Sequence, residues 1–541
     1  MWSRSALSWC LPISVLATFL LFWISALPLG VPGEWTWDRV PWHFGMEWSL
    51  VTLLLAGGLY LTLAIWGERR IEISTAGERR LWWLMLFLSA WIMTRAAIDS
   101  APPPADQSRG IWVLYYPGPS GYYTVASASR DQRSRFLREY ESFVRQGDVL
   151  HLGTHPPGLI VSYWLLFDLV QHLPGLTPFQ DWSLSDNARS TWHLIQRREL
   201  ARGQVLPTSD RDALWLASGL VQVIGLLLIW PLGRWLSVIH APRIAWRVVC
   251  FWPLVPSLCL FWPKSDLLFP TIGLLLGWLW WQALERRSLL AAAVWGLVLF
   301  LGLELSLALL TVVVWLGLAT FLQLLTRNAA RLPWRAAWPG IAVAGLCLGG
   351  LIAVTATAGG FNPLTVWRQN LQNHAGFYEH YPRSYWPWLL INPIELALSV
   401  GLPVTLLTIA AAGRWFAEWR RSRSPAAPVE FRFQLTLLAA GLTWLLLWIS
   451  GKNMGEAARL WLVIMPWGLL ILSRLWTSEE SSMQRRDAST VEPPPAERVP
   501  AAAVPDSERF EQERRIWQLA LVCQLLALAV TITRVSGFML H

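Results

Sequence analysis

His155-Pro156-Pro157-Gly158-Leu159-Ile160-Val161-Ser162-Tyr163-Trp164-Leu165-Leu166-Phe167-Asp168-Leu169-Val170 is the stretch on which the architecture turns. It is apolar like a membrane segment, yet it is short, opens on two prolines and contains Asp168. A helix needs about 20 mostly apolar residues to cross the hydrocarbon core. If 158–173 crosses, every later loop changes sides. The cations decide between the two layouts. With the N-terminus inside and 158–173 not crossing, the short inside loops hold Arg69, Arg70, Arg79, Arg80, Arg234, Arg243, Arg247, Arg286, Arg287, Arg327, Arg331, Arg335, Arg414, Arg420, Arg421, Arg423 and Arg432. The short outside loops hold only Arg39, Lys264, Arg368, Arg383, Lys452 and Arg459. That is the positive-inside asymmetry, and a crossing at 158–173 would reverse it. The stretch is therefore expected to be a juxtamembrane or re-entrant helix on the outer face. Residues 99–212 then form one large outer loop, whose arginines are no objection because long loops translocate largely regardless of charge.

Working outward, the composition agrees. The 541 residues are 54% hydrophobic and only 15% charged, against about 25% charged in soluble proteins. A soluble enzyme, a disordered chain and a fibrous protein are excluded. The expected fold is all-α, a polytopic transmembrane helical bundle of about thirteen spans. The spans are expected over 6–28, 49–67, 81–98, 213–233, 247–263, 267–284, 289–304, 305–325, 338–358, 393–413, 434–450, 460–476 and 518–536. The first lacks a small-residue cleavage site and reads as a span, not a removed signal. The layout divides into a two-span segment 1–80, a core 81–476, a disordered cytoplasmic linker 477–517 rich in proline and charge, and a last span in 518–541. The N-terminus is cytoplasmic, in a membrane of the bacterial inner or plasma type. No fixed-period repeat supports an inverted-repeat transporter. The five cysteines lie in apolar runs without metal-ligand spacing. Net charge of +9 reflects topology, not nucleic acid. Thirty-nine tryptophans are far more than two interfacial belts need.

Four outer segments break the monotony of leucine and tryptophan. The large loop carries Tyr115 to Tyr123, then a helical stretch 126–149 with Asp131, Glu139, Glu141 and Asp148, then His151 and His155-Pro156-Pro157. The acids read either as a solvated helix face, since arginines interleave with them, or as a source of a general base. The other segments are Trp262-Pro263-Lys264-Ser265-Asp266; a run from Asn373 and His374 through Tyr378, Arg383 and Trp386 to Trp388; and Ser450-Gly451-Lys452-Asn453-Met454-Gly455-Glu456-Ala457-Ala458-Arg459. Aromatic faces suit sugar rings, or equally an interfacial belt. Of 44 basic residues only Lys264 and Lys452 are lysine, both in these turns. Lysine is a compact charge suited to phosphate, and arginine adds bidentate geometry. Glu304 is an intramembrane carboxylate that reads as a helix–helix contact, and Glu395 is the better functional candidate of the two.

An acid-bearing outer loop, then His155-Pro156-Pro157, then an aromatic juxtamembrane helix, set among many spans, resembles the GT-C superfamily of integral membrane glycosyltransferases, such as protein mannosyltransferases and the aminoarabinose transferase of lipid A. The resemblance covers most of 81–476. It implies transfer of a sugar from a polyprenyl-phosphate-linked donor to an acceptor glycan, lipid or protein on the outer face, in cell-envelope work at the membrane and without nucleic acid. It implies a loop carboxylate as catalytic base. The family's acidic pair is absent from 99–155, so the candidates are Asp131, then Asp148 and Asp99, with His155 ordering the loop or contacting phosphate. Lys264, Arg383, Lys452 and Arg459 would face the leaving phosphate, with Asp266, His374, Tyr378, Trp386 and Glu456 completing substrate binding. No spacing demands a metal, although the resemblance admits a divalent cation. A secondary transporter and a non-catalytic lipid-binding protein of envelope assembly are the rival readings.

A cysteine placed in 180–205 is expected to react with an impermeant thiol reagent from outside. Labelling confined to the cytoplasmic side would place 158–173 across the membrane.

Overall fold

The computed structural model describes residues 4–24, 26–41, 46–173, 176–327, 331–421, 427–476 and 506–540. Among the described residues 78% are helical. Ten helices among them are long and apolar enough to cross a membrane, or up to twelve if each of two bent helix pairs counts as one span. It is a multi-pass membrane protein. Helices Leu289–Leu305 and Leu462–Leu475, both expected as spans, are shorter than the rest. The expected span 393–413 is a broken element, Tyr385–Val400 and Leu402–Arg420, bent by 110°. Gly401 takes φ +97° at the break.

The chain departs from all-α in one place. Gly30–Val31 and Trp35–Arg39 form a hairpin, and Trp35–Arg39 pairs antiparallel with Val535–Leu540. The last helix, Asp506–Arg534, thus ends two residues before the expected span does and continues as a strand. It also begins well before 518. Residues 506–517 of the expected linker are helical, and the rest of it, 477–505, lies outside the described residues.

Most of the buried apolar side chains form one core through the helices. A second core belongs to the 99–208 segment and joins residues of Tyr122–Ala128, Arg133–Val144, Gly158–Gln171, Asp186–Ala201 and the start of Thr208–Leu226. Helix Gly158–Gln171 buries Leu159, Ile160, Tyr163, Trp164, Leu166, Phe167 and Val170 in that second core. Asp168, the residue that interrupts its apolar run, accepts both guanidinium arms of Arg133 at 2.6 and 2.7 Å. The entry at Gly158 is tight: a Cβ there would lie 2.3 Å from the Glu304 carbonyl oxygen. Only glycine lets the helix start against the end of Leu289–Leu305.

Many tryptophans serve as ties between helices and not as belts. Trp246 donates its indole N–H to the Ala64 carbonyl (2.9 Å), Trp252 to Gly225 (2.7 Å), Trp262 to Ser218 (2.9 Å), Trp315 to Thr436 (3.0 Å) and Trp517 to Arg247 (3.0 Å). All five are almost completely buried. Where no water reaches, a large apolar ring with one donor is stabilised by an acceptor, and for these five a neighbouring backbone carbonyl supplies it.

Charge inside the bundle is paired. Glu68, near the end of Met46–Arg70, accepts from Arg247 Nε (3.0 Å) and Nη2 (2.7 Å) and lies 3.3 Å from Arg514 Nε, joining three helices. Glu68 and Arg247 are 1% and 0% exposed. Glu68→Ala should destabilise the detergent-solubilised protein by roughly 3–5 kcal/mol, because it strands a buried guanidinium. A denaturant series that leaves the unfolding midpoint unmoved would contradict this.

Candidate functional site

Five segments converge on a cavity of about 650 Å³. They are the turn at 119–122, the loop 149–155, the turn 263–266, the helix face 370–378 and the loop 452–459. Three of the four singled-out outer segments meet here in full or in part, and the large loop supplies the remaining wall. Hairpin 30–39 and strand Val535–Leu540 stand on the same face, since Glu34 binds 383–388 next to the cavity.

Each wall is held locally. Asp148 collects the backbone N–H groups of Leu150 (3.1 Å), His151 (3.2 Å), Leu152 (2.6 Å) and Gly153 (3.1 Å), which folds the loop before His155 into a tight bend. From Pro363–Ala375, Asn370 donates to the Gly153 carbonyl (2.7 Å), and Asn373 to those of Val144 and Gly153, both at 2.8 Å. Tyr140 donates to the His155 carbonyl at 2.9 Å. His155 Nδ1 lies 3.1 Å from the His151 carbonyl and 3.0 Å from Thr154 Oγ1. A carbonyl can only accept, so Nδ1 carries the proton and Nε2 is left as an acceptor when the ring is neutral. Burial pushes His155, His151 and His374 below the ordinary histidine range, and at neutral pH all three are uncharged.

The charged groups come from the two short turns. Lys264 donates from Nζ to the Pro119 carbonyl. Burial, with Arg459 beside it, pushes its pKa down to about 7. Asp266 lines the cavity, and among the described residues no hydrogen bond or ion pair holds its carboxylate. Arg459 Nη2 donates to Glu456 Oε2 at 2.5 Å. Burial opposes the charge of Arg459, but Glu456 and Asp266 outweigh it and raise its pKa. Loop 451–456 is wound through left-handed backbone, with φ +67° at Gly451, +63° at Asn453, +69° at Gly455 and +71° at Glu456. Non-glycine residues in that region are strained, and the strain persists only where surroundings impose it. Tyr378 helps impose it by accepting the Met454 N–H at 2.9 Å. Lys452 stands exposed at the rim. The remaining wall is apolar, with Leu165, Leu220, Leu305, Leu307, Leu371 and Leu447.

Of the residues expected from sequence, His155, Lys264, Asp266, His374, Tyr378, Lys452, Glu456 and Arg459 line the cavity. The three aspartates nominated as base do not. Asp131 is exposed on a turn of the 99–208 segment, Asp148 braces its loop, and Asp99 ends Ala76–Asp99 with Arg95 3.8 Å away. Arg383 lies behind the 451–456 loop and Trp386 is 72% exposed, both off the cavity wall. Glu304 sits at the end of Leu289–Leu305, and buried Glu395 accepts the Trp37 indole N–H at 3.0 Å. His151, Ser120 and Tyr122 line the cavity without having been singled out as site residues. Among the described residues, no three His, Cys, Asp or Glu side chains are grouped so as to hold a metal ion. Neither a protein-family model nor a curated protein matches this chain.

Anion binding should weaken with rising pH. Below about pH 7 Lys264 is charged; above it the empty site holds a neutral amine, and binding must take up a proton. Affinity for farnesyl methyl phosphate, whose single charge is constant, should fall by up to about tenfold per pH unit between pH 7 and 9. The histidines stay neutral throughout. In Lys264→Met the profile should be flat, and a flat wild-type profile would remove Lys264 from the site.

Proposed function

We propose that this protein is a membrane glycosyltransferase of the GT-C kind, taking a sugar from a polyprenyl-phosphate donor and passing it to an acceptor hydroxyl on the outer face. The N-terminus is cytoplasmic in this reading, and about thirteen spans cross the membrane. Helix Gly158–Gln171 lies on the surface, which its place in the core of the 99–208 segment supports. The observation that carries the reading is the cavity's mixed lining: Lys264, Arg459 and Lys452 with Asp266, together with many leucines. A phosphate needs the first and a prenyl chain the second.

The base is Asp266 in place of the loop aspartates, because its carboxylate faces the cavity uncommitted while Glu456 is paired with Arg459. Asp266 takes the proton of the acceptor hydroxyl as that oxygen attacks the anomeric carbon. The bond from that carbon to the phosphate oxygen breaks, and its electron pair leaves with the lipid phosphate. Arg459, Lys264 and Lys452 face the charge that grows there, which is where fixed cations accelerate a reaction most. His155, through Nε2, accepts a hydrogen bond from a substrate hydroxyl. Tyr122, Phe377 and Tyr378 give the sugar aromatic faces.

Asp266→Asn should lower single-turnover transfer from a polyprenyl-phosphate sugar in proteoliposomes by about 10²–10⁴-fold, the range of a general base. Binding of farnesyl methyl phosphate should be retained. Full transfer by the variant would reject Asp266 as base. Phosphate binding by the wild type with no transfer to any acceptor would favour a non-catalytic lipid-binding protein.

A further inference from the structure

Arg383 differs from the other cations of this region in leaving its best binding edge without a partner. Nη1 donates to the Glu34 carbonyl at 2.6 Å, so the N-terminal hairpin fixes the guanidinium. Nε and Nη2 form the edge whose two parallel donors fit a carboxylate. Both are buried, and neither has a hydrogen-bond partner among the described residues. That edge lies against the strained loop: Nε is 3.4 Å from where a Cβ on Gly455 would stand, one residue before Glu456.

Glu456 faces a conflict. Its carboxylate holds Nη2 of Arg459 at 2.5 Å, and Arg459 is the arginine that lines the cavity. An anion that takes the paired Nε/Nη2 edge of Arg459 displaces a group of its own sign from Nη2. A buried carboxylate stripped of its partner is costly, so the displaced side chain needs somewhere to go. The unpaired Arg383 edge lies against the neighbouring residue of the same loop, Gly455, and the left-handed φ of Glu456 is a conformation that its contacts impose.

The geometry points to Arg383 as a positioning residue that receives the Glu456 carboxylate on its Nε/Nη2 edge when a lipid phosphate takes Arg459. This rests on the phosphate-binding reading of the cavity. Empty, the site is closed by its own carboxylate; occupied, Glu456 is held away by an arginine that never touches substrate. Glu34 and buried Glu395 are the other carboxylates near Arg383. That of Glu34 is taken by Ser384 and Trp388; Glu395 has Oε1 on Trp37 and, among the described residues, no hydrogen-bond partner on Oε2, and the test separates it from Glu456.

The test is a double-mutant cycle on the full chain in nanodiscs, read as the affinity for farnesyl methyl phosphate. Glu456→Gln should bind more tightly than wild type, because the internal competitor is gone. Arg383→Gln should weaken binding by about tenfold, the scale of one charge-assisted hydrogen bond. Arg383→Lys keeps the charge and a donor for Glu34 but lacks the paired edge, and should weaken binding equally. In the Glu456→Gln background both Arg383 substitutions should change affinity less than about twofold. If Arg383→Gln fails to fold, Arg383→Lys decides. Additive effects, which an Arg383–Glu395 pairing would also give, overturn the exchange, as does Arg383→Lys binding like wild type. Absence of any binding by the wild type removes the phosphate reading itself, and the exchange with it.

Discussion

The indole N–H of Trp262 donates to the Ser218 carbonyl at 2.9 Å, and the site depends on that bond. Trp262 is 1% exposed. Its ring occupies the space that a side chain at Gly110 would need, a Cβ there coming within 2.5 Å of it. One side chain thus fastens the turn before Lys264 and Asp266 to helix Thr208–Leu226 and to Arg109–Tyr115 of the 99–208 segment. Asp266 and Lys264 are placed by an apolar ring that is itself off the cavity wall. Any shift of Trp262 would move both groups relative to Tyr122 and His155.

The same economy of means runs through the cavity. Histidines held neutral by burial, an arginine paired with Glu456 and a lysine whose charge is lost above about pH 7 leave a site with little net charge when empty. A strongly cationic pocket at a membrane surface would collect anionic headgroups without discrimination. Here Arg459 is masked by Glu456 and Lys264 by burial, and Lys452 alone of the three cations stands exposed.

Much of this was legible in the sequence because the background is so uniform. Among leucines and tryptophans, short polar segments stand out, and eight of the residues singled out in them line one cavity. Asp168, the residue that interrupts the apolar run of 158–173, has a partner in the bidentate Arg133 pair. Where the loop aspartates point was not legible. Asp148 precedes His155 at a suggestive spacing, but its carboxylate is consumed by four backbone amides, and no pattern of residue types reveals where a side chain points. Nor was the sheet: two- to six-residue strands carry almost no periodicity, and Trp35–Arg39 finds its partner at the other end of the chain. Glu34 escaped for the same reason, since its contacts to Ser384 and Trp388 span 350 and 354 residues. The tryptophan excess was visible, but whether a ring marks an interface or ties two helices depends on what lies opposite it.

Strand Trp35–Arg39 is made about 500 residues before Val535–Leu540, yet they share a ladder. Glu34, beside that ladder, fixes Arg383, and Trp35 lies against Gly455. During synthesis the hairpin therefore waits with an open edge while the intervening helices enter the membrane. The backing of the 451–456 loop is completed only when Val535–Leu540 arrives. Assembly order is thereby written into this face of the molecule: the helices that define the cavity are made before the closed ladder that steadies it.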